Sequence, residues 1–229
     1  AYKSLVQAIE DAGVHNNVKV KIKWIESTFI KSEKQAIELL RDSGGVIVPG
    51  GFGKRGVKGK LLIIKKAREL KIPFLGICYG MPLAAIAFAR NVCNLKDANS
   101  TEIDSKAKHK VVDLLKGQDL KKIGGTMRLG NWKCKLKKNT LAYKIYKKEV
   151  IEERHRHRYE LNKKYEKIFK KNGLIISGKS VKGNLPEIIE LESHPFFIGV
   201  QFHPEFNSTL EVPNPLFIEF VKKSMEKEN

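Results

Sequence analysis

The sequence predicts an α/β fold in which a central, mostly parallel sheet is flanked by helices and extended by additional antiparallel strands. Two observations support this prediction. In the first half, short apolar runs typical of buried strands alternate with segments of helical periodicity. In the second half, several strand-like segments follow one another with short helices between them. No repeat or linker divides the chain, so we expect residues 1–229 to form a single domain.

The first half contains the elements of the parallel part of the sheet. Apolar residues at helical spacing predict a helix over the first dozen residues, ended by Gly13. The strict alternation over Val18–Trp24 predicts a strand with one wet face, and Ser32 followed by Gln35 predicts the capped start of a helix that ends near residue 42. Strand, helix, strand and helix are then predicted over residues 45–48, 59–70, 73–77 and 80–91.

The second half is richer in strands. The same patterns predict strands over residues 126–136, 153–161, 174–179, 187–191 and 197–202. They predict helices over residues 140–147, 162–171 and 215–227. The polar, lysine-rich stretch from residue 105 to 122 matches neither pattern, and we expect a surface excursion there.

Composition argues against several classes of protein. The chain has no run of about 18 apolar residues that could span a bilayer, so we expect no membrane partner. Its three cysteines are widely spaced and form no C-x-x-C pair, which argues against a disulfide framework and for a reducing, cytoplasmic compartment. The net charge of +19 raises nucleic-acid binding as a hypothesis. However, lysines outnumber arginines by 36 to 8 and are scattered, so we expect a solvated surface and no specific nucleic-acid partner.

The sharpest local motif contains a cysteine. The predicted strand over residues 73–77 leads into Gly76-Ile-Cys78-Tyr-Gly80 and then into a helix, which is the arrangement of a nucleophile elbow with cysteine in place of serine. The glycines suit a tight turn, and the helix N-terminus favours a thiolate. Taken alone, the motif fits a structural cysteine equally well.

A cysteine nucleophile needs a base and a group that orients the base. The strand predicted over residues 197–202 is followed by His203-Pro-Glu205, at the sheet edge where α/β proteins bind ligands. Glu205 is close enough in sequence to hold the imidazole of His203 in one tautomer. Metal binding by this pair is the alternative, but no third ligand has convincing spacing, so we expect no metal.

A glycine-rich loop, Pro49-Gly-Gly-Phe-Gly53, follows the strand predicted over residues 45–48. Backbone N–H groups of such a loop can stabilise an oxyanion or cradle a phosphate. Neither common glycine pattern of nucleotide-binding loops is satisfied here, which favours the oxyanion.

Taken in this order, the Pro-Gly-Gly, Gly-x-Cys-x-Gly and His-Pro-Glu motifs resemble those of the class I glutamine amidotransferases, which have a flavodoxin-like core. Longer segments are similar to the C-terminal glutaminase domain of the CTP synthase family, and the similarity runs nearly end to end. These segments are residues 49–56, 97–102, 124–130, 153–160 and 201–206.

The resemblance implies hydrolysis of glutamine through a covalent intermediate. Cys78 is then the nucleophile that forms a γ-glutamyl thioester, His203 shuttles the proton, and Glu205 orients His203. The implied oxyanion donors are the backbone N–H groups of Gly51, Phe52 and Tyr79. The residues implied to bind substrate glutamine are Gly51, Glu102 and Arg158.

Three features beside these motifs need comment. Arg154, Arg156 and Arg158 alternate along a predicted strand, so we expect them to share one face. The sequence departs from the family at two positions: Tyr79 stands where leucine is usual, and Pro82 stands where a substrate-binding glutamine is usual. Proline is compatible with the first turn of a helix, so the fold should survive, but one substrate contact is in doubt.

The resemblance also implies partners beyond this chain. The domain itself needs no cofactor, whereas the full-length enzyme uses ATP, UTP and Mg²⁺ in an N-terminal synthetase domain. GTP acts as an activator at the interface of the two domains, and the full-length enzyme is a homo-oligomer. Two alternatives stay open: a glutaminase domain serving another amidotransferase, and a catalytically weak basic binding module on the same fold.

Overall fold

The structure, a computed structural model, describes residues 2–114 and 127–226. The seven helices of this part are α1 (Lys3–His15), α2 (Glu33–Leu40), α3 (Val57–Glu69), α4 (Gly80–Asn91), α5 (Leu141–Tyr146), α6 (Glu166–Lys171) and α7 (Pro215–Glu226). Its ten strands are β1 (Val46–Val48), β2 (Phe74–Ile77), β3 (Asn99–Ser100), β4 (Lys110–Leu114), β5 (Arg128–Leu136), β6 (Val150–His157), β7 (Tyr159–Leu161), β8 (Leu174–Ser180), β9 (Pro186–Leu191) and β10 (Phe197–Val200). No helix of this part is both long enough and apolar enough to cross a membrane.

The strands form two sheets. The larger has the order β1-β2-β10-β9-β8-β5-β6, and the smaller has the order β3-β4-β7. In the larger sheet β1, β2 and β10 pair in parallel, and the pairings from β10 through β9, β8 and β5 to β6 are antiparallel. The α/β prediction is therefore confirmed. The parallel part of the sheet consists of β1, β2 and β10, with α3 connecting β1 to β2 and α4 following β2. The antiparallel extension comes from the second half of the chain.

Two apolar layers cover the faces of the larger sheet. One layer includes residues of α2, α3, α4 and α6, and the other includes residues of α1, α5 and α7. Adjacent residues of β2 belong to different layers, since Phe74 packs in the first and Leu75 in the second, as strand alternation requires. The ring of Phe74 stacks on that of Phe197 with centroids 4.5 Å apart, which joins β2 to β10.

The predicted starts of two helices are confirmed. Ser32 caps α2, because its hydroxyl accepts a hydrogen bond from the N–H of Gln35 at 3.2 Å. The Gln35 side chain returns to the N–H of Lys31 at 2.8 Å, one residue before the cap. Helix α4 has the bounds predicted from the sequence, whereas α1 continues past Gly13 to His15.

The prediction of a strand over Val18–Trp24 is wrong. The segment belongs to no helix or strand, and among the described residues the backbone from residue 19 to 24 makes no hydrogen bond to other backbone. Val18, Val20 and Ile22 nevertheless pack against the layer that contains α1, as the alternation predicted, whereas Trp24, the last residue of the pattern, is 63% exposed. Alternation specifies which side chains face the core, but a strand also needs a neighbouring backbone to pair with.

The expected surface excursion over residues 105–122 is wrong for residues 110–114. These form β4, which pairs with β3 and β7 and buries Val111 and Val112. Three apolar residues within a five-residue segment are too short a signal to reveal a strand. Residues 115–126, which include the rest of that stretch, the start of the 124–130 motif and residue 126 of a predicted strand, lie outside the described residues, as do residues 1 and 227–229.

Candidate active site

The turn between β2 and α4 has the geometry of a nucleophile elbow. Strand β2 ends one residue before Cys78, and α4 begins two residues after it. Cys78 has a φ of +49°, a left-handed conformation that is uncommon for a residue with a Cβ atom. Its N–H donates to the carbonyl of Val200 at 2.8 Å, and its carbonyl accepts from Met81 at 3.3 Å. The strained turn therefore fixes the thiol at the carboxyl end of β2.

Both glycines of the elbow are required by close packing. A Cβ atom on Gly80 would lie 2.1 Å from the carbonyl oxygen of Val48 in β1. A Cβ atom on Gly76 would lie 2.8 Å from the backbone carbon of Gly80. Any side chain at either position would push the elbow away from the sheet.

The buried Pro82 lies in the first turn of α4, where its missing N–H removes no helical hydrogen bond.

His203 and Glu205 lie beyond the end of β10, next to the elbow. The Nδ1 atom of His203 is 2.8 Å from Oε1 of Glu205, and the ring of Phe206 stacks on the imidazole at 5.2 Å. Burial opposes the charged imidazole, but contacts with Cys78 and Glu205 outweigh burial and raise the pKa of His203 to about 10. An imidazolium beside a cysteine sulfur is the arrangement that stabilises a thiolate.

Strand β6 supports the turn that contains His203. The N–H of His203 donates to the carbonyl of Arg154 at 2.8 Å, and the Asn207 side chain donates to Glu153 at 2.8 Å. The buried Glu153 also accepts hydrogen bonds from Tyr146 at 2.8 Å and Asn214 at 2.9 Å. Sequence analysis did not identify Glu153, because its partners lie in three other segments of the chain.

The glycine-rich loop packs against the same two side chains. A Cβ atom on Gly50 would lie 2.8 Å from Cε1 of His203 and 3.6 Å from Cβ of Cys78. One on Gly51 would lie 3.6 Å from the Tyr79 ring. Phe52 is 88% exposed. The loop predicted to supply oxyanion donors is therefore beside the predicted nucleophile and base.

Glu102 joins the loop to the smaller sheet. Its Oε1 atom accepts a hydrogen bond from the N–H of Gly53 at 2.7 Å. Burial raises the pKa of Glu102, and the Gly53 hydrogen bond opposes that rise. The carboxylate thus lies at the edge of the candidate site.

Arg158 lies at the bend between β6 and β7. Arg154 and Arg156 share the exposed face of β6, but β6 ends at residue 157, so the expectation that Arg158 shares that face is wrong. The chain changes sheets at this point, which the alternation of arginines could not indicate. The Nε atom of Arg158 is buried and has no hydrogen-bond partner among the described residues, so it is available to a carboxylate ligand.

The pKa of Tyr159 is affected by both Glu102 and Arg158. Burial raises the pKa of Tyr159, the charge of Glu102 raises it further, and the charge of Arg158 lowers it. The charges of both groups predicted to bind glutamine therefore change the pKa of the same tyrosine. Sequence analysis did not single out Tyr159, which has no signal beyond its place beside Arg158.

Arg128, Glu160 and Glu187 form a buried cluster with two histidines of β6, His155 and His157. Arg128 contacts Glu160 at 2.9 Å and Glu187 at 2.7 Å, yet burial outweighs the arginine and raises the pKa of Glu160 to about 7 and of Glu187 to about 8. Burial also lowers the pKa of His155 to about 2 and of His157 to about 3. Both histidines are therefore neutral at physiological pH.

The two other cysteines lie in unreactive settings. Burial raises the pKa of Cys93 to about 11 and also raises the pKa of Cys134, so both remain thiols at neutral pH. Among the described residues, no three His, Cys, Asp or Glu side chains are arranged to hold a metal ion.

Comparison with known proteins identifies similar chains. The sequence model of the family described as glutamine amidotransferase class-I matches residues 1–223. The chain is 51% identical to the CTP synthase of Caldanaerobacter subterraneus over 97% of its own length and 41% of that protein's length. It is 49% identical to the CTP synthase of Geobacillus kaustophilus, over 99% of this chain and 43% of that protein. The chain therefore spans about two fifths of the length of these relatives.

Two solved structures are also similar to this chain. The glutaminase domain of Trypanosoma brucei CTPS with bound acivicin is 35% identical, with a TM-score of 0.92 over 98% of this chain and 88% of that one. A protein from Thermoplasma acidophilum, described as a GMP synthase subunit, is 15% identical, with a TM-score of 0.62 over 97% of this chain and 89% of that one. The second similarity concerns the fold alone.

Proposed function

The chain belongs to the class I glutamine amidotransferase family and, within it, to the glutaminase domains of CTP synthases, and we propose that it hydrolyses L-glutamine to L-glutamate and ammonia. The observation that carries this proposal is the left-handed Cys78 beside His203, whose imidazole is oriented by Glu205 at 2.8 Å. A thiol, a base and a carboxylate that orients the base are the three groups that this kind of nucleophilic amide hydrolysis uses.

The substrate is held through its two charged groups. We assign its α-carboxylate to Arg158, whose buried Nε atom has no partner among the described residues. We assign its α-ammonium to Glu102 and the remaining part of the glutamine molecule to the loop at Gly51. These contacts direct the side-chain amide carbon of glutamine toward Cys78.

In the first step the thiolate of Cys78 attacks the amide carbon, and the carbonyl oxygen becomes an oxyanion. Backbone N–H groups of Gly51, Phe52 and Tyr79 are the proposed donors to this oxygen. The imidazolium of His203 gives its proton to the amide nitrogen, the C–N bond breaks, and ammonia leaves. The product on the enzyme is a γ-glutamyl thioester.

In the second step water hydrolyses the thioester. The neutral imidazole of His203 takes a proton from water, and the resulting hydroxide attacks the thioester carbon. The C–S bond breaks, the product leaves with a γ-carboxyl group that gives its proton to solvent, and the thiolate of Cys78 and the imidazolium of His203 are restored. Glu205 keeps the imidazole in one orientation through both steps.

The whole protein is proposed to use this ammonia to convert UTP to CTP. The support is the family together with the share of the relatives' length that the chain spans, about two fifths. The remaining part would be the synthetase domain that binds ATP, UTP and Mg²⁺, with GTP as activator at the interface and a homo-oligomeric full-length enzyme. Residues 1–229 are proposed to act as one domain in the cytoplasm, where its free cysteines stay reduced.

A glutaminase that serves another amidotransferase is the second candidate. The similarity to a GMP synthase subunit reaches only 15% identity, against 35% for the CTPS glutaminase domain, which favours the first candidate. A catalytically weak basic binding module is disfavoured, because His203 contacts Glu205 and the neighbouring Cys78 is a free cysteine with no disulfide bond.

The test is release of ammonia from glutamine by the purified chain, with asparagine as the control substrate and Cys78→Ala as the control variant. We expect slow hydrolysis of glutamine by the chain alone and little effect of added GTP, because the partner domain is proposed to complete the site. No ammonia release and no thioester with glutamine would contradict the proposal, and equal hydrolysis by the Cys78→Ala variant would contradict the assignment of the nucleophile.

A further inference from the structure

Three side chains hold the backbone of the glycine-rich loop. The hydroxyl of Tyr79 donates to the carbonyl of Gly53, and the carboxylate of Glu102 accepts from the N–H of the same residue at 2.7 Å. At the other end of the loop, the hydroxyl of Tyr2 donates to the carbonyl of Gly50 at 3.3 Å. Both polar groups of Gly53 are thus bound by side chains from outside the loop.

Apart from the packing of Gly50 and Gly51 beside His203, Cys78 and Tyr79, the loop has little else to keep it in place. Three of its five residues are glycines, which retain more backbone freedom than any other residue. Its one large side chain, Phe52, is 88% exposed and adds no packing. Gly53 has a φ of +76°, a conformation for which glycine has no steric penalty. The position of the loop therefore depends on its hydrogen-bonded anchors.

Tyr79 is well placed to be such an anchor. Its side chain is 5% exposed, its ring lies beside Gly51, and the Nζ atom of Lys60 is 5.5 Å from the ring centroid. Burial, and then the charge of Glu102, raise the pKa of Tyr79, so the hydroxyl remains a donor throughout the working pH range. Because Tyr79 directly follows Cys78, the anchor is attached to the nucleophile elbow itself.

We propose that Tyr79 is a positioning residue whose hydroxyl, through the carbonyl of Gly53, holds the loop Pro49–Gly53 in register with Cys78. This inference rests on the proposed function and adds a task for the Tyr79 side chain, separate from the oxyanion contact assigned to its backbone N–H. The elbow and the oxyanion loop then act as one rigid unit. Oxyanion stabilisation depends on such preorganisation, since donors that must first be ordered stabilise the transition state less.

The test is the variant Tyr79→Phe, which keeps the ring and its packing and removes only the hydroxyl. We expect kcat for glutamine hydrolysis to fall roughly 5- to 10-fold, the loss that one hydrogen bond of typical strength accounts for. We expect KM to change less than about twofold, because the groups assigned to the substrate's charges are untouched.

Two further measurements separate positioning from general damage. Alkylation of Cys78 by iodoacetamide displaces iodide and forms no oxyanion, so its rate should change less than about twofold in Tyr79→Phe. Hydrogen exchange of the loop amides, followed by mass spectrometry, should be faster in the variant. The matched control is Tyr165→Phe, because the hydroxyl of Tyr165 has no hydrogen-bond partner among the described residues, and it should leave all three measurements unchanged.

The outcomes are distinct. An unchanged or increased kcat in Tyr79→Phe would overturn the inference, and so would an equal loss of kcat and of iodoacetamide reactivity, which would indicate a damaged elbow. If the wild-type chain releases no ammonia from glutamine, the proposed function fails. The exchange measurement would then still decide about the anchor: faster exchange of the loop in Tyr79→Phe supports it, and unchanged exchange refutes it.

Discussion

Replacing Cys78 with alanine should lower the pKa of His203. Burial alone would hold this pKa below the ordinary value of 6.5, but Cys78 and Glu205 raise it to about 10. The hydrogen bond with Cys78 is the largest of the contributions that raise it. Its removal leaves burial opposed by Glu205 alone, so we expect a fall of at least about one pKa unit, equivalent to ~1.4 kcal/mol of interaction between the two side chains.

The measurement is an NMR titration of the histidine side chains in the wild type and the Cys78→Ala variant. Three other histidines do not interfere, because burial lowers the pKa of His155 to about 2, of His157 to about 3 and of His194 to about 4. These three stay neutral from pH 5 upward, and comparison with the spectrum of a His203→Gln variant identifies the His203 signal.

Stability should depend on pH with a defined sign. The folded-state pKa of His203, about 10, is higher than its ordinary value of 6.5, so protonated His203 stabilises the folded chain fully below pH 6.5. That contribution is lost as the pH rises through 10. The difference in unfolding free energy between the wild type and Cys78→Ala should therefore shrink from pH 6.5 to 10.

A control and a refuting result complete this prediction. The Cys93→Ala variant removes a thiol away from the site and should leave the pKa of His203 unchanged. A wild-type His203 that titrates near 6.5, or at the same pH in both the wild type and Cys78→Ala, would refute the reasoning that the sulfur and imidazole form a charged pair.

Four further outcomes are expected. A glutamine-like electrophile should label Cys78 and spare the other two cysteines in peptide mapping, and Cys78→Ala should abolish hydrolysis with an unchanged circular dichroism spectrum. Gly80→Ala should lower the unfolding free energy by about 1–3 kcal/mol in urea titration, since its Cβ would lie 2.1 Å from the Val48 carbonyl; unchanged stability would contradict the packing argument. Pro82→Gln should lower KM for glutamine several-fold, because the hydroxyl of Tyr79 is occupied by Gly53 and does not replace the missing contact; a shift in thermal stability alone would show that Pro82 only stiffens the helix.

Most helices and strands were predictable because their signals are local. Apolar spacing and the capping residues marked α2 and α4, and alternation marked the strands of the second half. The catalytic candidates were also predictable, since Gly76, Gly80 and Cys78 form a turn within five residues and Glu205 reaches His203 across two. In each case the interacting groups are close in sequence, so residue type and spacing carry the information.

Pairing between strands was not predictable in the same way. The alternation over Val18–Trp24 correctly placed Val18, Val20 and Ile22 against the core but not Trp24, which is exposed. The segment forms no strand, because ladder bonds depend on a second segment that local sequence does not specify. The same limit concealed β4 and the break at Arg158, where the chain passes from the larger sheet to the smaller one.

The sequence by itself therefore determined the fold class, the elbow and the candidate triad of Cys78, His203 and Glu205. Only the tertiary structure placed Glu153 beside the histidine turn and brought Tyr79 to the carbonyl and Glu102 to the N–H of Gly53. The physical reason is distance along the chain: Gly53 lies 26 residues from Tyr79 and 49 from Glu102, so folding alone brings these groups into hydrogen-bonding contact.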